Sequence, residues 1–73
     1  MTQTTITRHL AERNLAAAVE HLRDHEPRCD LDAEAGAALV LDAALAAFRA
    51  GHDREAVRLA NLARSLWAGD LAP

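Results

Sequence analysis

The side chains best equipped for chemistry are few in this 73-residue sequence, and three of them, His21, His25 and Cys29, are spaced by four. On a helix His21 and His25 stand one turn apart and can reach one metal ion, with Cys29 as a third ligand and Asp24, Asp30 or Asp32 as the fourth. Pro27 breaks the helix between His25 and Cys29, and closed zinc shells usually show a second ligand pair. The competing reading puts His25 at a helix C-terminus, where its protonated ring is favoured by the dipole, and treats Cys29 as a small apolar residue. No metal and no other cofactor is expected. Nucleophilic catalysis has less to draw on. Ser65 is the only serine, it falls on the polar side of a helix, and no histidine is near it in sequence. Cys29 becomes a nucleophile only if the fold brings a histidine against it. Gly36, Gly51 and Gly69 are isolated, so no loop can cradle a phosphate, and the chain reads as a non-enzyme.

Arg54, Arg58, Asn61 and Arg64 follow one another at single-turn steps and form a second group of candidates. Such a stripe is a solvated face, a contact for an acidic protein partner, or a phosphate- and base-reading edge. Eleven acidic residues against eight basic ones, all arginine, give a net charge of -3, which excludes a surface that is nucleic-acid footprint throughout but not a local basic stripe.

These residues must be carried by helices. Good helix formers dominate, with 18 Ala and 11 Leu, whereas Val, Ile and aromatic residues are scarce. The expected fold is all-α, a small three-helix, largely antiparallel bundle in one domain spanning residues 1–73, with helices at about 5–26, 32–50 and 53–68. The first is capped near Thr5, stops before Pro27, and turns Ala11, Leu15, Ala18 and Leu22 inward with Leu10 and Val19 on the flanks. Asp30 and Asp32 offer caps to the second, which Gly51 ends. Charge on that helix is confined to Glu34, Asp42 and Arg49, so it is expected to be central, with Gly36, Val40, Ala43 and Ala47 allowing close approach and Leu41, Leu45 and Phe48 needing a deep neighbour. Asp53 is the expected cap of the third helix and Gly69 its stop, with Ala56, Leu59, Ala60, Ala63, Leu66 and Trp67 inward. Residues 70–73 form a frayed tail.

The stretch from Ala46 to Val57, in which Phe48 precedes Gly51 and Ala56 opens the next helix, resembles the turn of a tetratricopeptide repeat. The likeness covers residues 32–67, about one repeat, with Ala56 and Ala63 at the helix crossing; Val40 and Ala44 depart from the pattern. It implies an antiparallel helical hairpin with protein-binding habits. Ala47, Gly51 and Val57 also have the spacing of a helix-turn-helix, which implies that the third helix enters a major groove through Arg54, Arg58, Asn61 and Arg64, although the preceding helix is about twice too long for that motif.

Few large apolar side chains are available to a chain this short, and such chains commonly gain core from a second copy or a partner. A homodimer or an obligate protein binder is therefore expected. The candidate partner-binding residues are Arg54, Arg58, Asn61, Arg64, Leu41, Leu45, Phe48 and Trp67, the last as core or dimer seam. No apolar run spans a bilayer and the start of the sequence lacks an export signal, so a cytoplasmic setting is expected, and the Arg-only basic set with abundant Ala resembles the bias of GC-rich bacterial or phage genomes. The expected role is a small adaptor or an inhibitor that occupies a surface of a larger complex. A DNA-binding regulator using the third helix and a small metal-responsive protein are the alternatives.

Overall fold

A computed structural model describes residues 3–70, with side chains from residue 7 onward. They form three helices, α1 (Gln3–Asp24), α2 (Leu31–Arg49) and α3 (Asp53–Ala68), and no strand occurs among the described residues. The all-α, three-helix expectation holds. Met1, Thr2 and Leu71–Pro73, which include most of the expected frayed tail, lie outside the described residues.

Helix ends follow local chemistry. Asp30 caps α2, its carboxylate accepting from the Ala33 amide at 2.8 Å, so the helix begins one residue before the expected boundary. At the other end the Gly51 amide donates to the Phe48 carbonyl at 3.0 Å and the His52 amide to that of Ala47 at 2.8 Å, the paired bonds of a Schellman stop. Gly51 has φ 85°, which a side chain would resist. The same closure ends α3, where the Gly69 amide donates to Leu66 and the Asp70 amide to Ser65. Asp53 does not serve as the expected cap. His52 occupies that place without a side-chain bond, and Asp53, the first residue of α3, is buried and turned to another partner.

That partner is Arg8. Its guanidinium lies 3.6 Å from the centroid of the Phe48 ring and donates both to the Asp53 carboxylate and to the Phe48 carbonyl, each at 2.7 Å. One arginine of α1 thereby ties the end of α2 to the start of α3 by a charge-assisted bond and a cation–π contact. At the opposite end the Trp67 indole N–H donates to the His25 carbonyl, and the Arg28 amide donates to the Trp67 carbonyl, each at 2.8 Å. The starts of α1 and α3 are thus together, as are their ends; α1 and α3 run in the same direction and α2 runs against both.

The expected order of the layers is overturned. Helix α3 packs along both neighbours, whereas α1 and α2 touch only lightly, so α3 is central and α2 is peripheral. Small residues at the crossings explain this. Ala56, Ala60 and Ala63 of α3 are fully buried, together with Ala11 and Ala18 of α1 and Ala37 and Ala44 of α2, and Leu15 is the one larger buried apolar residue among those described. Methyl groups let helix axes come close, but each contributes little burial energy. Leu41, Leu45, Phe48 and Leu59 fill the margins of this cluster and stay half-buried.

Candidate functional site

With α2 at the edge of the bundle, its outer face is open. Leu31 and Leu39 are 81% and 69% exposed. Ala35, Ala38, Ala43 and Ala46 are exposed with them, at the three- and four-residue steps that place side chains on one side of a helix. Charge on this side comes from Asp32, Asp42 and Arg49, all exposed, with the Asp30 cap beside Leu31. The surface is therefore mostly apolar, with Asp30 and Asp32 at its start and Asp42 and Arg49 set into it farther along. Leu10, at 55%, is the next most exposed large apolar side chain, and it stands on α1.

The candidate partner residues are distributed differently from expectation. Leu41, Leu45 and Phe48 do not form an outer surface; they pack against the chain's own cluster of Leu15, Ala18, Ala44, Ala56 and Ala60. Trp67 is half-buried, with its N–H already engaged by His25. The small-residue side of α2 makes no close approach at Gly36, where a Cβ would meet nothing within 4 Å. Leu31 and Leu39 were missed because the apolar area left over for a partner was assigned to Leu41, Leu45 and Phe48. Their signal was nonetheless present, since Leu31 directly follows the capping Asp30 and Leu39 projects from neither of the two faces assigned to the helix.

The arginine stripe of α3 is interrupted. Arg54, Arg58 and Asn61 are exposed, but Arg58 is ion-paired with Glu55, whose carboxyl the guanidinium holds below its ordinary range. Arg64 is half-buried in the seam with α1, beside His21, Asn61 and Ser65. A nucleic acid approaching α3 meets two open side chains, Arg54 and Asn61, one arginine that is ion-paired and one that is half-buried.

His21 and His25 do come together, as a ring stack with centroids 4.5 Å apart and an interplanar angle of 19°. Cys29 does not join them. It lines a separate surface hollow with Asp30, Leu31 and Asp32, and no three His, Cys, Asp or Glu side chains among the described residues converge as a metal shell. Burial, followed by the charges of Glu34 and Asp30, pushes the Cys29 thiol up, which favours the protonated and less nucleophilic form. No described helix is long and apolar enough to cross a membrane. Compared with known proteins, the chain matches no protein-family model, no curated protein and no solved structure.

Proposed function

We propose that this chain is a non-catalytic protein-interaction module, a small adaptor or an inhibitor that lays the outer face of α2 into an apolar groove of a larger protein. The observation that carries the reading is the pair of open leucines, Leu31 and Leu39, on an alanine-lined helix face. Eight residues separate them, a spacing that keeps both on one broad apolar stripe of the helix. Asp30, Asp32 and Asp42 border the anchors on a chain of net charge -3, so the fitting groove has a basic rim, which also speeds encounter. Protein binding is the habit implied by the tetratricopeptide resemblance of residues 32–67, with the outer side of the hairpin as the contact here.

The test compares the parent with Leu31→Glu and Leu39→Glu as bait in extract from the native cell, followed by titration of the captured protein. Each substitution is expected to weaken binding by about tenfold or more, as loss of an interface anchor does, while the helical signal is retained. Undiminished capture by both variants overturns the assignment to α2. Light scattering on the isolated chain reports the homodimer: a dimer that both substitutions convert to monomer places a second copy on this face in place of a foreign groove.

A further inference from the structure

A different region, at the end of the bundle where α1 and α3 finish, collects unlike chemistry. Two adjoining crevices follow the seam where the last turns of α1 and α3 lie side by side, and they share His21, Ala68 and Asp70. The first adds Asn61, Arg64 and Ser65; the second adds His25, Glu26, Arg28 and Trp67. Among these, α1 supplies His21, the connection after it supplies His25, Glu26 and Arg28, α3 supplies Arg64, and Asp70 follows its end. When the imidazoles are neutral, two guanidinium groups face two carboxylates. With both rings protonated the seam carries an excess of two positive charges on a protein that is acidic as a whole.

The stacked rings sharpen the effect, because one protonated imidazole repels the other at 4.5 Å and Arg64 adds to the repulsion. His21 is accordingly held below its ordinary value, by burial first, then by His25 and Arg64. An anion placed between these groups removes the conflict. Asn61 and Ser65 add neutral donors to the first crevice, and the Trp67 ring, its N–H already bonded to the His25 carbonyl, adds an aromatic surface to the second. We propose that this seam is an oxyanion site in which Arg64 and protonated His21, on which the His25 ring is stacked, hold the phosphate group of a small aromatic phosphate monoester. Binding of the anion and protonation of the rings then favour each other, so affinity rises as pH falls through the imidazole range. The site uses no residue of α2 and stands independently of the partner-binding reading.

The experiment uses the full chain and two probes, sulfate, which keeps its charge through the imidazole range, and phenyl phosphate. Ring resonances of His21 are followed by NMR against chloride at equal ionic strength, and Trp67, the only tryptophan, reports by fluorescence. Sulfate is expected to raise the titration of His21 and to bind about tenfold more tightly near pH 6 than near pH 8, either side of the ordinary imidazole value. Phenyl phosphate is expected to bind more tightly than sulfate and to change the Trp67 emission. Arg64→Gln is expected to lose about tenfold in affinity, the size of one charge-assisted hydrogen bond, and Arg13→Gln, an exposed arginine outside the seam, to lose none. Ser65→Asp keeps the arginine but adds a carboxylate to the seam, and it too is expected to weaken binding by about tenfold or more, which guards against misfolding of the first variant. Equal effects of sulfate and chloride, or full binding by both Arg64→Gln and Ser65→Asp, overturn the site. Sulfate binding without phenyl phosphate binding overturns the monoester assignment.

Discussion

Gly69→Ala is expected to lower stability by about 2 kcal/mol or more, read as a drop of about 10 °C in the thermal midpoint. Two causes add at this position. Gly69 has φ 77°, a left-handed conformation that costs a side chain about 1–2 kcal/mol. Its missing side chain also makes room for backbone, because a Cβ would collide with the carbonyl oxygen of Arg28. Relief requires the connection between α1 and α2 to move, and that connection is fastened to α3 by the bond from the Arg28 amide to the Trp67 carbonyl. A domain of this size holds only about 4–11 kcal/mol in total, so the loss is a large share. The same replacement at Gly36 is the control. There a Cβ meets nothing, the residue lies inside a helix, and Ala is expected to raise stability by about 0.5–1 kcal/mol. Chemical denaturation of both variants checks the contrast, and equal midpoints for the two would mean that the Arg28 segment does not rest on Gly69.

Ala60→Leu is expected to cost about 1–3 kcal/mol, also by chemical denaturation. Ala60 is fully buried in the cluster where Leu15 and Ala18 of α1 and Ala44 of α2 converge on α3. Three more carbon atoms have no vacant place at a crossing built from methyl groups, so α1 or α2 must be displaced. Displacing α1 strains the Arg8 contacts to Phe48 and Asp53 at one end and the Trp67 bond to the His25 carbonyl at the other. An Ala60→Leu protein that unfolds at the parental midpoint would show that the two outer helices do not meet on this residue.

The binding reading has changed its residues between sequence and structure, for a physical reason. An alanine-rich helix looks apolar from almost any direction, so the scarcity of charge on α2 suggested a central position, with its uncovered area at Leu41, Leu45 and Phe48. Enclosure depends instead on which helices can approach most closely. Helix α3 offers Ala56, Ala60 and Ala63 along one inward side and is gripped by both neighbours, which leaves α2 with one covered side and Leu31 and Leu39 in the open. The His21–His25 spacing correctly indicated that the rings are neighbours, since helical periodicity alone ensures it. That Arg64 and Asp70 join His21 could not be read from spacing, because these residues arrive from another helix and its end.

Three helices, their approximate limits, a cap at Asp30 or Asp32 and the stops at Gly51 and Gly69 were legible from residue order, because each is settled by backbone hydrogen bonds and torsions within about one turn. Which helix lies in the middle, the bond of Arg8 to Asp53 across 45 positions, and the identity of the open apolar face came only from packing. Those features compare the free energies of competing helix faces, and faces built largely of alanine differ too little in hydrophobicity for order along the chain to rank them.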